Sequence, residues 1–142
     1  MEEKENKKMN EEEMQQKYME LQMMSRHIKA AQQQLEGIDE QIGSMGNLVT
    51  ELDNLKEAKE GSEMLSPIGE GIFVRSKLAD NNQLIVNVGA NVAVTKNVDE
   101  AKQLLKTRIE QGQRHKERMI TEVENMIEEA KLVEKELASM ME

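Results

Sequence analysis

Aromatic side chains are almost missing from this sequence, which has one Phe, one Tyr and no Trp in 142 residues. Large rings anchor most compact cores, so their scarcity argues against a close-packed globular enzyme. Cysteine is absent. Disulfides, thiolate nucleophiles and cysteine-held metals are thereby excluded, and a reducing cytoplasm is the expected location. No stretch offers the roughly 18 uninterrupted apolar residues that a membrane-spanning helix needs, and the start, MEEKENKKMNEEE, lacks the apolar segment of a signal peptide. Histidine occurs only at His27 and His115, and the phosphate-cradling pattern G-x-x-x-x-G-K-[ST] does not occur. Catalytic residues, cofactors and metals are therefore all expected to be none.

Charge is abundant instead. Charged residues make up 33% and the mean hydropathy is -0.73, values that a disordered chain also shows, so periodicity has to decide. The formal charge of -9 is spread unevenly: residues 1–20 hold seven carboxylates against four lysines, and residues 120–142 hold seven against two. Acidic ends repel a phosphate backbone and an anionic bilayer alike, so the expectation is no nucleic acid and no membrane among the partners.

From Met14 a heptad register can be laid down with Met14, Leu21, Ile28, Leu35, Ile42 and Val49 at position a and Lys17, Met24, Ala31, Ile38, Met45 and Leu52 at position d. Such a 3.5-residue apolar repeat, sustained over six heptads, keeps one stripe facing a partner helix. It predicts a coiled-coil helix over 11–60, preceded by a disordered charged tail at 1–10. A second register has Leu105, Gly112, Met119, Met126, Val133 and Met140 at d and Ile109, Lys116, Val123, Ala130 and Leu137 at a. It predicts a second helix over 98–142, opened by Asn97 as N-cap, with Glu100 as its capping-box partner and Asp99 at the positive helix end. Gly37, Gly43 and Gly46 interrupt the first helix, Gly112 and Lys116 the second. Antiparallel pairing is expected to set these interruptions face to face in one soft zone, which a larger residue at 112 would stiffen. The same pairing leaves His115 and His27 on the order of 20 Å apart along the helices, outside any shared metal or acid–base geometry.

Residues 61–97 change character, with dense β-branched residues punctuated by Gly, Asn and the single Pro67. Ile72, Val74 and Leu78 alternate with Phe73, Arg75 and Lys77, Asp80-Asn81-Asn82 reads as a turn, and LIVNV and VAVTK follow on either side of Gly89-Ala90-Asn91. Two β-hairpins are predicted, with Gly69-Glu70-Gly71 a turn and Pro67 at an edge or entry position. The fold class is thus mainly α: a long antiparallel coiled-coil hairpin around a small β head. Short strands with no covering helix leave open edges and an apolar face, so Ile72, Val74, Leu78, Leu84, Val86, Val88, Val92 and Val94 are the candidate oligomerisation residues.

The head sequence, E-G-S-E-M-L at 60–65, S-P-I-G-E-G-I-F-V at 66–74 and L-I-V-N-V-G-A-N-V-A-V-T-K-N at 84–97, resembles the α class of archaeal prefoldin subunits. The likeness covers about residues 55–108. Two hairpins rather than one point to the α class; Ser66 and Glu70 depart from the residues common at those places. The resemblance implies a hexamer of two α and four β-class subunits, joined through an oligomeric β-barrel platform. It also implies an ATP-independent chaperone that captures unfolded proteins and delivers them to a group II chaperonin. Its rival is a structural coiled-coil spacer or filament subunit built through the same head.

Twelve methionines exceed what the seam needs. Met19, Met23 and Met141, joined by Tyr18 and Leu132, lie off positions a and d near the two chain ends. Flexible, polarizable side chains suit weak contact with many apolar sequences. With their seam neighbours Met14, Leu21, Met24, Val133, Leu137 and Met140, these are the candidate client-binding residues.

Overall fold

The structure, a computed structural model, describes residues 2–141 and their side chains except that of Met9. Its elements are α1 (Glu2–Glu57), β1 (Glu63–Gly69), β2 (Ile72–Lys77), β3 (Leu84–Gly89), β4 (Val92–Lys96) and α2 (Val98–Met141). The chain divides into two compact units, one made of the residues up to 40 with those from 113 on, the other of residues 41–112.

In the first unit the seam is read directly from exposure. Between residues 11 and 40 the shielded side chains of α1 are Met14, Lys17, Leu21, Met24, Ile28, Ala31, Leu35 and Ile38, the a and d positions and no others. Across from them α2 shields Lys116, Met119, Val123, Met126, Ala130, Val133, Leu137 and Met140, with Ile127 added and with Met119 and Val123 fully buried. Both seam lysines find a carboxylate on the other helix: Lys17 bonds Glu136, and Lys116 lies 2.6 Å from Asp39. Each stem stays on the apolar stripe while the ammonium reaches its rim. The hydrogen bond to Glu136 holds the Lys17 ammonium above the usual lysine range. This pair therefore contributes fully below that range and is lost only as pH rises through the raised value. Order along the two helices, Lys17 with Glu136 and Asp39 with Lys116, makes them antiparallel.

In the second unit the helices are also antiparallel, tied by Lys102 to Asp53 and by Lys56 to Asp99 at 3.1 Å. Val98, Ala101 and Leu105 are buried, the last two beside Leu48 and Leu52 of α1. A Cβ at Gly112 would lie 3.2 Å from Ile42 Cγ1, so Ile42 packs over the missing side chain. Asn97 and Glu100 close a reciprocal capping box: the Glu100 amide donates to Asn97 Oδ1 at 2.8 Å and the Asn97 amide to Glu100 Oε1 at 3.2 Å.

The expected soft zone is not built that way. Gly37, Gly43 and Gly46 lie off the seam and look into open space. The residue that meets Gly112 is Ile42, and the one that meets Lys116 is Asp39. Helix α1 also differs at both ends. Residues 2–10, read as a disordered tail, are helical: Glu2, Glu3 and Glu5 in the first turn suit the positive helix end, and Glu3 precedes Lys7 by the favourable four residues. Helix α1 stops at Glu57 instead of 60. There the Asn81 amide donates to the orphan carbonyls of Lys56 at 3.2 Å and Ala58 at 2.7 Å, and Gly61 turns the chain at φ 80°. Glu142 and Met1 lie outside the described residues.

The four strands form two separate antiparallel pairs, β1 with β2 and β3 with β4. Each pair closes through a two-residue turn with both φ positive, Glu70 (52°) and Gly71 (76°) in one, Ala90 (49°) and Asn91 (61°) in the other, the type I′ geometry that matches strand twist. Each also carries one unpaired bulge residue, Ile68 or Val88, followed by Gly69 or Gly89. The two hairpins thus repeat the same device twenty residues apart. Asp80-Asn81-Asn82 joins the two pairs, the Asn82 amide bonding Asp80 Oδ1 at 2.7 Å.

Two substitutions test this framework in thermal melts followed by circular dichroism. Asn81→Ala strips two carbonyls of their donor and is expected to cost about 1–2 kcal/mol. Gly112→Leu, instead of stiffening the seam, drives side-chain atoms into Ile42 and is expected to cost about 1–3 kcal/mol. A raised melting temperature for Gly112→Leu would contradict the packing described.

Candidate functional site

Two exposed apolar surfaces stand out, one in each unit. In the first unit, a groove of about 450 Å³ is lined by Met14, Gln15, Tyr18, Met19, Leu137 and Met141. Helical spacing makes it: Met14 and Tyr18, Gln15 and Met19, and Leu137 and Met141 are each four residues apart, so each pair stacks along one row. Met14 and Leu137 are half-buried seam residues and form the floor. Tyr18, Met19 and Met141 rise from it, Met141 being 73% exposed. Met23, one turn beyond Met19, is exposed as well.

The candidate client-binding set therefore separates. Met14, Tyr18, Met19, Leu137 and Met141 come together in the groove. Leu21, Met24, Val133 and Met140 are half-buried in the seam, where their apolar surface is spent on helix pairing. Leu132 is exposed but sits among Glu128, Lys131, Glu134 and Lys135. Gln15, a groove residue, was missed because a polar side chain gives no apolar signal; its i+4 relation to Met19 is what places it.

In the second unit the hairpins carry the other surface. Of the candidate oligomerisation residues, Ile72, Val74, Val88 and Val92 are exposed, while Leu78, Leu84, Val86 and Val94 are half-buried. Leu84 and Val86 line a second groove of about 410 Å³ with Leu48, Leu52, Ala101, Leu104 and Leu105, so part of that set packs on the chain's own helices. Five exposed apolar residues of the head were missed: Met64, Leu65, Ile68, Phe73 and Ile85, the last 81% exposed. The run Leu84-Ile85-Val86 held the signal. Successive strand residues point to opposite faces, so an unbroken apolar run marks a strand to be covered on both. The Ser66 hydroxyl is satisfied by that of Ser76 at 2.7 Å.

His27 and His115 are both exposed. Among the described residues no group of three or more His, Asp or Glu side chains is placed to hold a metal ion, and no helix is long and apolar enough to cross a membrane.

A family model described as "Prefoldin subunit" matches residues 24–142. The chain belongs to the prefoldin family. Similar curated proteins include α subunits of archaeal prefoldin. "Prefoldin subunit alpha" of Methanothrix thermoacetophila is 36% identical over 94 residues, 66% of this chain and 57% of that protein. "Prefoldin subunit alpha" of Methanococcus aeolicus is 27% identical over 126 residues, 89% of this chain and 85% of that one. A filamentous PFD from Methanocaldococcus jannaschii, solved by cryo-EM, has the same fold: the TM-score is 0.72 at 18% identity, covering 81% of this chain and 95% of that one. The two hairpins agree with the α-class likeness of the head motifs, and the prefoldin fold is mainly helical, with paired antiparallel helices and two small sheets.

An assembly surface on the hairpins has a direct test. Phe73→Asp with Ile85→Asp, both exposed in the single chain, should leave helicity unchanged. On assembly each carboxylate would be buried without a partner at a cost of several kcal/mol, so sedimentation is expected to show dissociation to small species. Assemblies of unaltered size would exclude this surface.

Proposed function

We propose that the chain is a non-enzymatic subunit of an ATP-independent holdase, which captures unfolded polypeptide at the chain-end groove and joins other prefoldin subunits through its hairpins. The observation that carries this reading is the open groove of Met14, Tyr18, Met19, Leu137 and Met141. It is apolar, shallow and built largely from flexible thioethers, which accept irregular apolar segments without selecting one sequence. Each contact is weak, and several subunits acting on one client raise the avidity by a factor on the order of 100 to 10,000. Firm capture then coexists with release, because losing one arm loosens the rest.

The finer reading follows the family. Two α-class with four β-class subunits form the hexamer, the site of action is the cytoplasm, and the client passes to a group II chaperonin that competes for the same apolar segments. No hydrolysis step is needed for that transfer. A second reading, a filament or spacer subunit, is supported by the same uncovered strands and by the filamentous PFD that shares the fold. Native mass spectrometry with a β-class subunit separates them: a closed mixed assembly supports the holdase, and long homopolymers support the filament.

The decisive experiment on capture replaces Tyr18, Met19, Met23 and Met141 by Ser, all four off the seam. Helicity and assembly size should be retained, while suppression of light scattering from a chemically unfolded client should weaken in steps, each single change costing less than about 1.5 kcal/mol. Full protection by the fourfold variant would move the client site elsewhere.

A further inference from the structure

Methionine exposure is sharply graded in this molecule. Among the described residues Met19, Met23, Met64 and Met141 are exposed, Met14, Met24, Met45, Met126 and Met140 are half-buried, and Met119 is 7% exposed. Three of the four exposed thioethers belong to one region: Met19 and Met141 line the chain-end groove, and Met23 stands one helical turn from Met19. The chain has no cysteine, so no thiol of its own competes for an oxidant, and the exposed thioethers are the most accessible sulfurs among the described residues.

We propose that Met19, Met23 and Met141 form a reversible oxidation site, at which hydrogen peroxide or an organic hydroperoxide turns the apolar groove polar. The sulfur lone pair attacks the terminal peroxide oxygen. An S–O bond forms as the O–O bond breaks, the sulfur is oxidised by two electrons, and the peroxide leaves as water or an alcohol. Reversal takes two electrons from a dithiol, which becomes a disulfide as the oxygen departs as water. The product is a polar, chiral sulfoxide in place of a flexible apolar chain. Positions 19, 23 and 141 lie outside the a and d stripe, so the seam, the Lys17–Glu136 pair and the Asn97 cap keep their partners. The groove loses its walls while the helices persist. As a means of switching capture, this rests on the reading of the groove as the client site; the selectivity of oxidation does not.

The test treats the full-length assembled protein with dilute hydrogen peroxide and follows each methionine by peptide mass spectrometry. Sulfoxide is expected at Met19, Met23 and Met141 on the order of 10-fold faster than at Met24, Met45 and Met119. In parallel, the amount of protein giving half-suppression of client scattering should rise by a factor on the order of 10, with helicity unchanged. Methionine sulfoxide reductase with a dithiol should restore both. The triple variant Met19→Leu, Met23→Leu, Met141→Leu removes the oxidisable sulfurs, and its readout is the ratio of its own protection after peroxide to that before, expected near unity. Equal oxidation rates at exposed and seam methionines overturn the proposal. So does a triple variant that loses as much protection as the unaltered protein, or protection that stays lost once the three sulfoxides are reduced. If the three sites oxidise and capture persists, the fourfold Ser variant tells the failures apart. Loss of capture in that variant sinks the oxidation switch alone, and full capture sinks it together with the client groove.

Discussion

Everything else in this molecule depends on one narrow apolar stripe per helix. Between residues 11 and 40 of α1 only the a and d positions are shielded, and most are half-buried, so no single side chain holds the helices together. A seam of this kind is stable by length: each turn adds a modest burial of apolar surface, and the sum over many turns exceeds the entropy of ordering two long helices. The two seam lysines fit because a carboxylate meets each across the interface, Glu136 for Lys17 and Asp39 for Lys116. Exposed pairs of this sort contribute little energy. Their value lies in register, because a slip of one heptad would set each ammonium against a different side chain.

How much of this was legible in the sequence follows from the range of the interactions. The heptads were legible because a 3.5-residue period is a property of one helix and needs no knowledge of the partner. The Asn97–Glu100 box and the turns at Glu70-Gly71 and Ala90-Asn91 were legible because they are local. Asn81 was not: it caps carbonyls more than twenty residues away, and nothing near it in the chain marks that role. The glycine zone was misread although the register already placed Gly43 and Gly46 off positions a and d; only the structure shows Ile42 filling the space over Gly112. The charged start read as disorder from composition, whereas charge spacing favours helix there. For the candidate site, the sequence marked a set of methionines but could not separate those facing a groove from those consumed by the seam, since that depends on where the second helix lies.

The head shows how a small β element accommodates a polar side chain in a strand and a charged one in a turn. The serine at position 66 is matched by a second serine, Ser76, across the pair. Glutamate occupies a left-handed turn position at 70 with φ 52°, a conformation that costs a non-glycine residue roughly 1–2 kcal/mol. The adjoining Gly71 takes the other positive φ without that cost, so the turn type survives.

The duplicated hairpin has a consequence best put in the language of polymer chemistry. Two separate two-stranded sheets leave one unsatisfied edge on each of four strands, so the chain is a multifunctional monomer. Monomers of functionality above two branch without limit and gel unless their bonds close into rings or some ends are terminated. The bulges at Ile68 and Val88 act as terminators of this kind, because an irregular edge cannot template a further strand. On the proposed reading of the hairpins as the assembly surface, growth is limited by how many of the remaining edges find a partner strand, and a ring is the form that consumes them all.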